Sequence, residues 1–229
     1  MSKPALAELL ERATALVLAP QQQAGRLGTG SGFFIDAKHL VTNRHVIEGA
    51  RDGSIMVTSR ALGRLHRASI VAVTRSSNTG SDDFALLRLA TGDAPGTLAL
   101  GDSVSKLSPI VAAGFPGAVI RGDPSFRRLL GGDIAAAPDL NVTSGAVQSL
   151  RDSGAGVPLI VHTASVIQGN SGGPLVDECG RVVGVNTFIS VDQKQSARIS
   201  YSLRTSSLQR FLANQPARFI RDERACTPS

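Results

Sequence analysis

Apolar residues recur in two different rhythms along this chain. Near the start, Leu6, Leu9, Leu10 and Ala13 fall at i, i+3, i+4 and i+7, so the spacing predicts a short amphipathic helix over residues 4–13. The rhythm then changes to short apolar runs between turn-forming residues. Ala15–Ala19, closed by Pro20, reads as a strand, and a glycine-rich turn follows at Gly28–Gly32. Gly32–Ile35 and Leu40–Thr42 read as strands on either side of a turn at Asp36–His39, and Ser54–Thr58, Ala68–Thr74 and Phe84–Leu89 complete a first set. After a loop containing Gly92, Asp93, Pro95 and Gly96, a second set begins: Ile110–Ala113, Asn141–Leu150, Leu159–Thr163, Pro174–Val176, Val182–Thr187 and Ala197–Leu203. The chain closes on a second helix over 205–214, with Thr205 or Ser206 as N-cap and Leu208, Phe211 and Leu212 as its apolar stripe.

Two sets of short strands point to an all-β chain built of paired antiparallel barrels, one over 14–92 and one over 97–204. Residues 117–139 form a long segment containing Gly and Pro, and loops of that length in a compact domain are often functional.

Composition narrows the class without naming a function. Of 229 residues, 42% are apolar and 18% charged, ample for a core, and no run approaches a membrane span. The net charge of +6 is scattered; its densest groups are Arg127-Arg128 and Arg218, Arg221 and Arg224, with no interleaved aromatics. That pattern reads as a solvated basic surface, so no nucleic-acid or membrane partner is expected. Two cysteines, Cys179 and Cys226, are few for a disulfide-stabilised secreted protein and read as reduced thiols, a single disulfide pinning the tail being the lesser alternative. Glu8, Glu11 and Arg12 interrupt the apolar residues at the start, so no signal peptide is visible and a cytoplasmic location is expected.

The sharpest chemical signal is Gln168-Gly169-Asn170-Ser171-Gly172-Gly173-Pro174-Leu175. A serine hydroxyl needs a base to become a nucleophile, and backbone N–H groups to hold the oxyanion it creates. Glycines flanking Ser171 permit a backbone tight enough to aim the N–H groups of Gly169 and Ser171, with Asn170 as a third candidate, at one point. Of the four histidines, His45 ends the apolar strand Leu40–Thr42, where a barrel rim would expose its ring. His39 reads as a turn residue, His66 as a strand-start surface residue and His162 as a core or wall residue. A carboxylate to orient the imidazole is available at Asp82-Asp83, just before the strand Phe84–Leu89.

Taken together, "LVTNRHV", "DFALLRL" and "GNSGGPLV", in that order, resemble the chymotrypsin/trypsin-like serine peptidases. Gly30–Phe34, Gly114–Gly117 and Gly184–Thr187 are similar to segments of the bacterial HtrA-type branch, and the likeness spans roughly residues 28–205. The resemblance implies two packed six-stranded antiparallel β-barrels with short terminal helices, forming a single peptidase domain over 1–229. It implies a triad of Ser171, His45 and Asp83, the motif selecting Asp83 over Asp82, and an oxyanion site at Gly169, Asn170 and Ser171. It places substrate contacts at Ser165, Asn186, Thr187, Phe188 and Tyr201, a neutral pocket suited to a small or medium uncharged side chain, within reach of Asp192. Asn170 stands where digestive trypsins carry an aspartate, so activation by N-terminal cleavage is not expected. HtrA-type proteases carry a PDZ domain after the protease, and because this sequence stops soon after its last helix, a bare peptidase domain is expected.

The function expected is therefore a serine endopeptidase acting on protein or peptide substrates through an acyl-enzyme, with no metal or other cofactor. The competing reading is a catalytically silent peptide-binding module of the same fold. An activating protein partner that orders the 117–139 and 150–157 loops is a further candidate. The glycines at 28–32 lack the lysine of a phosphate loop.

Overall fold

The computed structural model describes residues 1–23, 26–51, 53–75, 81–117, 124–151, 157–187 and 199–226. Two closed six-stranded antiparallel barrels carry the structure. The first comprises β1 (Thr14–Pro20), β2 (Leu27–Phe34), β3 (His39–Thr42), β4 (Met56–Thr58), β5 (His66–Val73) and β6 (Ala85–Leu89), in the order β1-β2-β3-β6-β5-β4. The second comprises β7 (Pro109–Gly114), β8 (Asn141–Arg151), β9 (Leu159–His162), β10 (Pro174–Asp177), β11 (Val182–Thr187) and β12 (Ser200–Arg204), in the order β10-β11-β12-β9-β8-β7. Four helices accompany them among the described residues: α1 (Lys3–Ala13), α2 (Arg44–Ile47), α3 (Pro124–Leu130) and α4 (Thr205–Leu212).

The continuous apolar run of β1 has a structural reason. Ala15, Val17 and Ala19 fill the first barrel with Phe34, Leu40, Val57 and Leu87. Leu16 and Leu18 point the other way, onto Phe115, Leu129, Ala136 and Ala137. A strand covered on both faces has no polar side to show. The same alternation governs the neighbouring strands: Phe33, Val41 and Leu86 face out of the first barrel and meet Ala113, Val176, Val185 and Leu203 of the second. The two barrels thus share one core, closed at its ends by Leu6 and Leu10 of α1 and by Leu208 and Leu212 of α4. The Phe84 and Phe211 rings lie 5.9 Å apart within it.

Several expectations change. The segment Gly28–Gly32, read as a turn, is part of β2 and pairs with β1 at every position from Leu27 to Phe33. The long 117–139 segment contains α3 and a short 3-10 turn, Ile134–Ala136. His66 begins β5 as expected but is buried, its Nδ1 2.9 Å from the Thr91 carbonyl oxygen. The last helix starts one residue after Arg204, and Thr205 donates its hydroxyl to the Val182 carbonyl instead of capping the helix.

The cysteines are not reduced: Cys179 and Cys226 form a disulfide. The tail returns along the second barrel, where the Leu100 N–H donates to the Ile220 carbonyl and the Asp222 N–H to the Leu100 carbonyl. Arg181, buried in the β10–β11 turn, binds Asp177 at 2.6 Å and reaches Asp222 at 3.6 Å. These contacts bring Cys226 to Cys179, and none has a periodic signature in sequence. The disulfide joins residues 47 apart, so reduction, or Cys226→Ser, should lower unfolding free energy by about 2–4 kcal/mol. Urea denaturation with and without reductant would measure it, and Cys226→Ser should be insensitive to the reductant.

Candidate active site

The site begins with strand register. Strands β3 and β6 are antiparallel, with Thr42 opposite Ala85, so the residues just after β3 and just before β6 emerge side by side. Asn43, fully buried, donates its side-chain amide to the Asp83 carbonyl at 2.7 Å and fastens the two exits together. The chain then turns into α2, and Asp83 takes hold of His45 at two points. Its Oδ1 accepts the His45 backbone N–H at 3.0 Å, and its Oδ2 lies 2.5 Å from His45 Nδ1. An ionised carboxylate only accepts, so Nδ1 carries the proton and Nε2 is left with the lone pair. Asp83 is buried, whereas the His45 side chain is about one-third exposed (36%).

The Ser171 segment lies between β9 and β10, in the second barrel. Its backbone conformation demands glycine: Gly169 has φ +101° and Gly172 φ +86°. A Cβ at Gly169 would lie 2.2 Å from the Gly117 nitrogen, and one at Gly172 2.2 Å from the Ser31 oxygen. The loop is held at nearly every peptide. The Gln168 carbonyl accepts the Gly117 N–H at 2.8 Å, the Asn170 N–H donates to Ile167 at 3.0 Å, and the Ser171 carbonyl accepts the Ser31 N–H at 2.8 Å. The C=O and N–H of a trans peptide point in opposite directions. Gln168 C=O is turned to Gly117, so the Gly169 N–H is turned away from Gly117, and Gly169 is among the residues that line the cleft. The Asn170 N–H, expected as a third oxyanion donor, is instead occupied by Ile167.

His45, Gly169 and Ser171 line one cleft of about 740 Å³, with Val46, Gln168 and Phe126 also in its walls. The structure thus brings the expected base, its carboxylate, the serine and the Gly169 amide to one place from two barrels.

The expected substrate contacts are distributed less evenly. Thr187 and Tyr201 face each other across β11 and β12, and Ser165 is half-buried beside Val166, whose N–H donates to Ser200 Oγ. The Asn186 side chain is turned into the barrel, where its amide donates to the Ala113 and Pro174 carbonyls. Phe188 and Asp192 lie outside the described residues. The one close cluster of three His, Cys and carboxylate side chains among the described residues is Asp177 with Cys179 and Cys226. Its sulfurs are in the disulfide and its carboxylate is bound by Arg181, so it offers no metal centre.

Three contributors escaped the sequence reading: Asn43, Ser31 and Gly117. Asn43 alone left a signal, a polar residue interrupting an apolar strand end. A further buried chain explains His162. Asn186 spends both amide hydrogens on carbonyls, so its Oδ1 accepts from Ser202 Oγ at 3.1 Å. Ser202 then has only lone pairs for His162 Nε2, 3.0 Å away, which makes Nε2 the protonated nitrogen.

Burial pushes the His162 pKa down to about 4. Unfolded, this histidine titrates near 6.5, so between these values the unfolded chain binds more protons. The contribution to stability is complete above pH 6.5 and is lost as pH falls toward 4, by on the order of 3 kcal/mol. Urea midpoints at pH 4.5 and pH 7 should differ by less in His162→Gln than in the native protein.

Residues 30–185 match the family model described as trypsin-like peptidase domain. Among curated relatives, a probable periplasmic DegP-like serine endoprotease of Marinomonas is 33% identical over 75% of this chain and 32% of its own length. The mitochondrial serine protease HTRA2 of Bos taurus is 32% identical over 81% of this chain and 36% of its own length. The chain therefore spans about a third of the length of these relatives. Among solved structures, the Rv3671c protease of M. tuberculosis in its active form superposes with TM-score 0.71 at 20% identity, covering 96% of this chain and 88% of that one. These relatives overturn the expected cytoplasmic location: they are periplasmic and mitochondrial proteins. A disulfide, which persists in oxidising compartments, argues in the same direction.

Proposed function

This chain belongs to the trypsin-like peptidase family, a family of serine-protease-like enzymes, and from that premise we propose that it is a serine endopeptidase with Ser171 as nucleophile, His45 as base and Asp83 as the residue that orients it. The observation that carries this reading is the two-point hold of Asp83 on His45, which leaves Nε2 as the proton acceptor in the cleft Ser171 lines.

In the proposed reaction, Ser171 Oγ adds to the carbonyl carbon of the scissile bond while His45 Nε2 takes the hydroxyl proton. The carbonyl π electrons move to oxygen, and the Gly169 and Ser171 N–H groups stabilise that charge. On collapse the C–N bond breaks, Nε2 returns the proton to the leaving amine, and an ester to Ser171 remains. Water, deprotonated by the same nitrogen, adds to the ester carbon. The C–O bond to Ser171 then breaks, the serine oxygen recovers the proton, and the acid is released. Asp83, hydrogen-bonded to Nδ1, orients the ring and stabilises the imidazolium.

Substrate would bind extended, pairing with β11 at Thr187, beyond the last β11 residue paired with β10, with its side chain before the scissile bond near Ser165 and Tyr201. With a serine and no acid at 165, a small or medium uncharged side chain fits best there. Both barrels would act as one peptidase domain, since the base and the nucleophile come from different halves.

A fluorophosphonate probe should label Ser171 in the native protein, and labelling should vanish in His45→Ala. Asp83→Asn, which favours the wrong imidazole tautomer, should lower kcat by about four orders of magnitude at neutral pH. Folded native protein that takes no label and cleaves no peptide would leave the silent peptide-binding reading standing instead.

A further inference from the structure

Ser31 is a fully buried polar residue of β2 that the proposed reaction does not use. Its three polar groups all reach the second barrel or Thr42 at the end of β3, the strand that leads into the helix of His45. The backbone N–H donates to the Ser171 carbonyl at 2.8 Å, and the backbone carbonyl accepts the Thr42 hydroxyl at 2.6 Å. The side-chain hydroxyl donates to the Gly169 carbonyl at 2.8 Å and accepts the Phe115 N–H at 2.8 Å. A hydroxyl has one hydrogen, and a carbonyl can only accept, so the direction of each bond is fixed.

Two peptides flank Gly169. The Gly117 N–H holds the one before it through the Gln168 carbonyl, and Ser31 Oγ holds the one after it through the Gly169 carbonyl. Glycine at φ +101° is the residue freest to rotate both peptides together. Rotation would carry the Gly169 N–H off the cleft and bring a carbonyl into its place. These two bonds, with the Asn170 N–H bond to the Ile167 carbonyl, oppose that rotation, and of the three only the Ser31 bond is made by a side chain.

We infer that Ser31 is a positioning residue whose hydroxyl latches the Gly169–Asn170 peptide and so keeps the Gly169 N–H aimed at the developing oxyanion. The inference rests on the proposed peptidase reading. It places control of the oxyanion donor in the first barrel, so the barrel carrying the base also sets the electrostatics of the other. Loss of the latch acts on the transition state, in which the oxygen is charged, and leaves ground-state binding of the extended peptide nearly untouched.

The test compares native protein, Ser31→Ala and Ser31→Cys, the last retaining size and a weak donor. With an ester substrate, Ser31→Ala should lose about tenfold to a hundredfold in kcat, less than deleting an oxyanion donor, with KM within about twofold. Ser31→Cys should recover part of the loss. With 15N-glycine labelling, the Gly169 amide resonance should shift or broaden in Ser31→Ala. A native protein that hydrolyses nothing refutes the peptidase reading, and the Gly169 resonance still decides the latch. Unchanged kcat in Ser31→Ala, or a thermal midpoint that falls while the Gly169 resonance and kcat/KM stay put, overturns the inference.

Discussion

The groups proposed to react come from different barrels, so their separation is set by how the two barrels pack. His45 and Asp83 hang from the ends of β3 and β6, and Ser171 from the loop before β10. Between them lies a dry core in which Phe33, Val41, Phe84 and Leu86 meet Val176, Val185 and Leu203. Close-packed interiors shift little without losing contact energy, so this core works as a fixed spacer. Near the site the polar ties across the junction run from Ser31 to Gly169, Ser171 and Phe115. Apolar contact sets the distance and these bonds set the angles.

The second barrel solves a different problem. Its nucleophile loop has no regular structure, yet buried peptide groups need partners. Asn186 supplies them. Its N–H donates to Gly173, its carbonyl accepts from Gly172, and its side chain binds Ala113 and Pro174, so one residue stitches three segments. Ser202 and His162 extend the stitch toward β9, and the directions of all these bonds follow from the two amide hydrogens of Asn186. Such a network is worth more than an apolar filling only when nearly every member is satisfied. Burial disfavours the charged imidazolium of His162 and lowers its proton affinity, outweighing the backbone hydrogen bond with Ala164 that favours it.

How much of this was legible in sequence depended on whether a feature is periodic or local. The strands were visible because each must bury one face or both, and the triad candidates because three short motifs carry their own contexts. Asp83 could be preferred to Asp82 only through the family pattern; the geometry adds the two bonds to His45. The disulfide, the burial of His66 and the inward turn of Asn186 were hidden, since each depends on a partner far away in the chain. Gly28–Gly32 was misread because glycine is a poor strand former, and local preference gave way to close approach.

That close approach explains why the glycines belong in β2. A Cβ on Gly30 would fall 2.5 Å from a Val46 methyl and 3.1 Å from the Ser171 carbonyl oxygen. Val46 follows His45 in α2, so the strand passes close against the residue next to the proposed base and against the backbone of the proposed nucleophile, and must be bare there. Ser31, next along, points its side chain to the opposite side of the strand, as alternation requires, and there finds Gly169. Glycine on one face and serine on the other are therefore one requirement. The strand has to be thin where base and nucleophile converge, and polar where the peptide at Gly169 needs a donor. Strand propensity is given up at Gly30 because nothing larger would let the barrels meet at this point.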